Sequence, residues 1–338
     1  MKRASLIAAC VALLLAGQSR PAAADEVSLI FTPLTPPDYV SAVRVFAPWA
    51  DHINQTAKGV LHIDIRYGIA LANSFNIFDR VKSDVMQVAV GIPSLVGGKF
   101  PLSDVVTMPF VTEDGEKASI AFWRLYKTGL LDAEYKEFIP LATGLFLPQG
   151  VHTNKVPASL DDLKGLRLRV ASKTSSEVIE RLGGAPVALD PQEVYASIQR
   201  GLIDGVVLSW AGMGPLKLLD VTSYHVETEL GTVAFVMFMS RAKYESLSED
   251  ARRVIDANSG EGLSAQLGAT FDQQSRDARA PAAAASDKHK IVQLTPAQEK
   301  IWRDKLAPVI DGWTAAHPGG AKLLETYRKI LADLKTGH

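Results

Sequence analysis

The hydrophobic pattern alternates along the chain between a period of two and a period near 3.6. Val27–Thr32 (VSLIFT) predicts a first strand, and a Pro-rich turn over 33–37 leads from it into a helix over about 39–56. Val43, Phe46, Ala47, Ala50 and Ile53 recur there at helical spacing and predict its core face, with Gly59 following. Leu61–Ile65 alternates as a strand does, with His62 and Asp64 on its exposed face. A loop of small and polar residues fills 68–76, before a short helix over 78–82 and a strand over 86–90. The stretch 118–131 reads as a helix with Phe122, Trp123 and Tyr126 in the core. A strand over 141–146 follows, and 147–154 carries the chain across to a second series of elements.

The pattern is densest from Leu163 to Trp210. Leu166, Leu168 and Val170 alternate with Arg167 and Arg169, a strand with one face in the core. Ser172 to Ser176 offers N-caps for an amphipathic helix that Gly183-Gly184 closes. After a short apolar run over 185–189, Asp190, Pro191 and Glu193 form the start signal of the next helix, whose apolar face is Val194, Ile198 and Leu202. A third strand over 203–208 precedes Trp210. This β-α-β-α-β order predicts parallel strands with crossover helices, and ligands in such sheets bind beyond the carboxyl ends of strands. Beyond it, 233–239 is nearly continuously apolar, which fits a fully buried strand. A long Ala- and Gln-rich helix then runs from about Ser248 toward Ala280, where Pro281 is expected to interrupt it. A last strand over 291–294 and a helix from Pro296, with Trp302, Leu306, Val309, Ile310 and Trp313 at core spacing, complete the pattern.

At 338 residues the chain is long enough for two domains, and its net charge of −1 supplies no basic field for nucleic acid or an anionic membrane. Residues 1–24 carry the marks of an export signal: Lys2-Arg3, an apolar run over 6–15 too short to span a bilayer, and the small residues Ala22-Ala23-Ala24. Ile7 to Cys10 also resembles a lipidation box, but that alternative leaves almost no apolar segment. Cys10 is the only cysteine, so its removal with the signal would exclude disulfides, thiolate metal sites and a cysteine nucleophile together. No HExxH pair, G-x-S-x-G elbow or phosphate loop is present, and Gly260 to Ala265 fits a dinucleotide pattern only in the wrong context, after a helix.

The linked series LKGLRLRV, GGAPV and EVYASIQRGLIDG, in that order and spacing, resembles the solute-binding proteins of TRAP (tripartite ATP-independent periplasmic) transporters. The resemblance implies an α/β, two-domain periplasmic solute-binding fold with a hinge and a long helix spanning both domains. It divides the chain into 25–146 plus 234–273 and 147–233 plus 274–338. It makes Arg169 the residue that clamps a ligand carboxylate, a role suited to a planar, permanently charged fork. Gln149 falls where better-known members place a second arginine, and Leu208 where sialic-acid binders often carry Asn. Both departures disfavour an acidic sugar and favour a smaller or partly apolar monocarboxylate. Trp210, an aromatic just past a strand end, can lay its face on such a body. Phe110 of the Met108-Pro109-Phe110 segment, Ser74 of the 68–76 loop and Pro191 complete the expected ligand-binding set.

The implied product is a periplasmic monomer without cofactor or metal. It would capture an organic acid and hand it to TRAP membrane permease subunits, with no nucleic-acid partner and no catalysis. An exported sensor subunit, an exported hydrolase using the same cleft, and the binding protein of an ATP-driven importer are the competing readings.

Overall fold

Alternation of strand and helix along the sequence builds two sheets, each covered on both faces. The computed structural model describes residues 26–337; the export signal expected over 1–24 lies outside the described residues. β1 (Val27–Thr32) is followed by a π-turn (Ala42–Phe46), α1 (Ala47–Thr56), β2 (Leu61–Ile65) and α2 (Ile77–Lys82). Then come β3 (Val88–Gly91), α3 (Gly115–Lys127) and β4 (Phe138–Leu145). The second series is β5 (Gly150–Thr153), β6 (Arg167–Val170), α4 (Lys173–Arg181), β7 (Ala185–Ala188) and α5 (Pro191–Gln199). β8 (Gly205–Leu208), α6 (Trp210–Met213) and β9 (Tyr224–Glu227) continue it. The chain returns through β10 (Ala234–Ser240), α7 (Arg241–Ser246), α8 (Glu249–Ala257) and α9 (Glu261–Ala284). It ends with β11 (Lys290–Gln293), α10 (Pro296–Ala316) and α11 (Gly320–Thr336).

Strand order is β2-β1-β3-β10-β4 in the first sheet and β11-β9-β5-β8-β6-β7 in the second. All strands of the first sheet run one way except β10, and all of the second except β5. The chain leaves the first sheet at the end of β4 to start β5, and leaves the second at the end of β9 to start β10. The carboxyl edges of the two sheets are therefore the edges joined by the crossovers, and a cleft at that junction is where this architecture binds ligands.

The two crossovers are bonded to each other. The Gln149 amide donates to Gly231 O (2.8 Å), Leu230 N to Gln149 O (3.2 Å) and Phe146 N to Val233 O (3.2 Å). A loop of the first lobe braces them, with Phe110 N on Glu229 O (2.9 Å) and Thr232 N on Thr107 O (3.3 Å). Gly231 holds φ at +95°, and a Cβ there would lie 2.3 Å from Thr107 O. Glycine is thus required where the return strand passes closest to the first lobe.

α9 is the third connection and spans both lobes. Leu267 and Phe271 enter the first lobe's core, while Ala282 enters that of the second. Pro281, expected to interrupt the helix, instead sits in its last turn, where the missing N–H removes a single bond near an already exposed end. α10 buries Trp302, Leu306 and Val309 against the second sheet, and α11 lays Leu323, Tyr327 and Leu331 into the core that holds Phe122. Val43 is a further correction: expected on the core face, it is 55% exposed. The π-turn at 42–46 inserts an extra residue into the helical register, so Ala42, Val45 and Phe46 face inward instead.

Across the second sheet, three histidines form a hydrogen-bonded row. His152 Nε2 meets Leu208 O (3.1 Å), which can only accept, so that nitrogen carries the proton. His152 Nδ1 then accepts from His225 Nδ1 (3.0 Å), and His225 Nε2 accepts from His289 Nδ1 (3.1 Å). Burial holds the His152 imidazole down at about 4, and burial together with its two histidine neighbours holds His225 at about 3.

Replacing Gly231 with Ala should destabilise the protein by about 1–3 kcal/mol through backbone strain and contact with Thr107 O; chemical denaturation with an unchanged midpoint would contradict this. The depressed imidazoles make the unfolded chain the better proton acceptor, so their contribution is intact above an ordinary histidine pKa of about 6.5 and fades as pH falls toward 4. The stability gap between wild type and a His225→Gln variant should therefore narrow between pH 7 and pH 4.5; a gap independent of pH would refute the neutral, one-directional row.

Candidate ligand-binding site

β6 sets the electrostatics of the site by alternation. Leu168 and Val170 enter the core, which leaves Arg167 and Arg169 on the other face. The two arginines have opposite circumstances. Arg167 is neutralised by Asp204, donating from Nε to Oδ2 (3.0 Å) and from NH2 to Oδ1 (3.0 Å), and Lys155 reaches the same carboxylate. These bonds, Arg167 first, hold the Asp204 carboxyl far below the usual carboxylate range despite its burial. Asp204 is thereby a structural partner of the strand start.

Arg169 is only 6% exposed. Its Nε donates to Leu189 O (3.1 Å), and among the described residues that is its single hydrogen bond and no carboxylate lies within ion-pair range. Burial lowers its pKa, and the nearby Asp190 charge offsets this only in part. The accepting carbonyl is fixed by the cap of α5: Asp190 Oδ1 accepts from Gln192 N (2.9 Å), and Glu193 Oε2 accepts from Asp190 N (3.3 Å). Pro191 follows as the first helical residue and lies at the surface. A buried guanidinium with one carbonyl acceptor keeps most of its donors for an anion.

Leu208 closes β8 on the same sheet edge, half-buried, and Gln149 lies beside it just before β5, 2% exposed. Both backbone groups of Gln149 are spent on the return crossover, so it belongs to the hinge as well as to the cleft edge. Trp210 heads α6. Its Nε1 donates to Glu227 Oε1 (3.0 Å), and Arg279 from α9 secures that carboxylate with a 3.2 Å bond to Oε2. The indole packs at 4.8 Å from the His152 ring and 5.0 Å from that of His225. With its one N–H consumed, Trp210 has only hydrocarbon left to present. It shares a cavity of about 350 Å³ with Phe110, Leu147 and Pro148, rimmed by Glu227 and Glu229. Phe110 takes a left-handed backbone (φ +57°) that turns its ring under the Arg303 guanidinium, 4.2 Å away. Ser74 is half-buried in the loop between β2 and α2, on the opposite lobe.

The structure therefore brings Arg169, Leu208 and Gln149 to one edge and sets Phe110 and Trp210 around one cavity, while Pro191 opens α5 two residues past Leu189, the acceptor of Arg169, and Ser74 lies on the opposite lobe. Three residues at the junction carried no sequence signal. Glu227 orients Trp210, and Gln274 of α9 donates from Nε2 to both Tyr39 Oη (3.0 Å) and Ala211 O (3.0 Å). That single amide links the loop after β1 to the helix after β8. Among the described residues, no group of three or more His, Cys, Asp or Glu could hold a metal ion, and no helix is long and apolar enough to cross a membrane.

Known proteins share this fold. A TRAP solute-binding protein of Rhodoferax ferrireducens T118, solved with copurified benzoate, superposes with a TM-score of 0.83 at 27% identity, covering 92% of this chain and 100% of that one. A marine metagenome TRAP protein specific for aromatic acid ligands, solved with 3-hydroxybenzoate, gives a TM-score of 0.83 at 25% identity over 91% of this chain and 99% of its own. In sequence, the outer membrane transporter protein TsaT of Comamonas testosteroni is 25% identical over 334 residues, 96% of this chain and 97% of that protein. The model of the bacterial extracellular solute-binding proteins, family 7, matches residues 35–316. The chain belongs to that family, DctP, and is a solute-binding protein of the TRAP type.

Proposed function

We propose that the ligand is a monocarboxylate with an aromatic or similarly planar apolar body, its carboxylate held by Arg169. The observation that carries this is the Arg169 guanidinium itself, buried at the end of β6 without a carboxylate partner. The spent N–H of Trp210, the apolar Leu208 and the uncharged Gln149 support an apolar body over a polyhydroxylated one. The benzoate and 3-hydroxybenzoate bound by the two similar proteins point the same way. Phe110, Ser74 and Pro191 complete the proposed contact set, reached as the lobes close about the two crossovers and α9.

The cycle proposed is capture in the periplasm by a monomer, closure, and delivery to separately encoded TRAP permease subunits. Proposed lobe limits are 25–146 with 234–273 and 147–233 with 274–338, and within the latter span the apolar face of α11 lies in the first lobe's core. Closure desolvates the guanidinium–carboxylate pair, so the loss of one member is felt as an uncompensated charge.

Arg169→Ala should weaken acid binding by about 3–5 kcal/mol, roughly two to four powers of ten in Kd. Calorimetry giving equal affinities for mutant and wild type would remove the clamp. In a thermal-shift series, benzoate at a hundred times its Kd should stabilise the protein by about 2.7 kcal/mol. Glucuronate and succinate at equal concentration should give little shift; the reverse order would contradict the apolar-body reading.

A further inference from the structure

The Gln274 amide lies where the two lobes meet, and its orientation is fixed by its partners. Ala211 O can only accept, so the group facing it must be the NH2, and the same nitrogen also donates to Tyr39 Oη. The carbonyl oxygen is left over. Gln274 Oε1 is buried and has no hydrogen-bond partner, a costly state for an acceptor. Tyr39 complements it. Its hydroxyl oxygen receives the Gln274 donor, and its own O–H has no acceptor among the described residues. Tyr39 follows the carboxyl end of β1, and Ala211 follows that of β8, the strand that pairs with β6 at Arg169. At and just beyond the end of β1, the hydroxyls of Thr32 and Thr35 are also buried without partners. Thr32, Thr35 and Gln274 thus leave buried polar atoms unpaired at the junction, and Thr228, Glu229 and Ser275 do the same on the second crossover and on α9.

We infer that Gln274 and Tyr39 form a second polar subsite that receives a hydroxyl group of the ligand, making this a receptor for hydroxylated monocarboxylic acids. A hydroxyl is the group that fits both ends at once, donating to Gln274 Oε1 while accepting from the Tyr39 O–H. A second carboxylate fails there, because two acceptors would face each other at Oε1. An unsubstituted ring fails in the other direction, leaving the acceptor unpaired after closure has excluded water. Gln274 would then do two things in the closed protein, tying α9 to both lobes and reading the ligand. Its place on α9, which spans both lobes, makes hydroxyl recognition and lobe closure parts of one contact.

This inference rests on the carboxylate reading above, so the test pairs each hydroxylated acid with its parent: 2-, 3- and 4-hydroxybenzoate with benzoate, and mandelate with phenylacetate. By calorimetry, wild type should bind at least one hydroxylated acid about tenfold more tightly than its parent. Gln274→Met keeps the side-chain length and removes the amide. It should bring that ratio to within about twofold; the lost bonds to Tyr39 Oη and Ala211 O weaken parent and hydroxylated acid alike, so the ratio and not either Kd is the readout. Tyr39→Phe, which preserves the packing, should cut the preference at least about threefold and decides the matter should the Met variant lose its native circular dichroism. Equal binding of parent and hydroxylated acids by wild type, or a preference that survives both substitutions, overturns the subsite and leaves the clamp standing. Failure of wild type to bind any of these acids overturns both.

Discussion

Arginine is rarely taken out of water alone, because a charge that gives up its hydration must recover the loss from a partner. Arg169 has surrendered nearly all of its exposure for one bond to the Leu189 carbonyl, while Arg167, two residues earlier on the same face, is saturated by Asp204 and stays half-open to water. The contrast separates structure from function within one strand. The ion pair at the start of β6 fastens it to β8, and the fork at its end keeps most of its donors unspent, which is what the proposed carboxylate clamp rests on. The rest of the second lobe serves that position: the α5 cap fixes the carbonyl that aims the fork, and the crossovers bring the other lobe opposite it.

Closure requires that the lobes move without losing register. Three connections provide this with different stiffness. The segments at 146–149 and 228–233 are hydrogen-bonded to each other and braced by the loop at Thr107 and Phe110, with Gly231 at the tightest approach. α9 is continuous through both cores and so joins the lobes without a break in its helix. The histidine row and the Trp210–Glu227–Arg279 contact then keep the second lobe's edge rigid, as a preorganised binding surface must be.

Much of this was legible in the residues. The alternation Leu166, Leu168, Val170 located β6 and placed both arginines on one face, and Asp190-Pro191-x-Glu193 marked the start of α5 because capping chemistry is local. The family resemblance then distinguished Arg169 from its neighbour, which spacing alone could not do. Val43 was misread because a π-turn shifts the helical register without a compositional mark. Tyr39 and Gln274 were unreadable for another reason. They are 235 positions apart, and a glutamine in an Ala- and Gln-rich helix has no periodic signature of the bond it makes. Trp210 was noticed as an aromatic past a strand, but the carboxylate that consumes its N–H lies on β9 and the arginine that steadies it on α9.

A crystal structure of the protein with a bound aromatic acid would show whether the ligand carboxylate bonds the Arg169 guanidinium itself. Both carboxylate oxygens should lie within hydrogen-bonding distance of the Arg169 nitrogens, with the ring between the lobes and the Leu189 contact retained. An acid seated elsewhere in the molecule, with Arg169 left to a carbonyl or to water, would contradict the clamp.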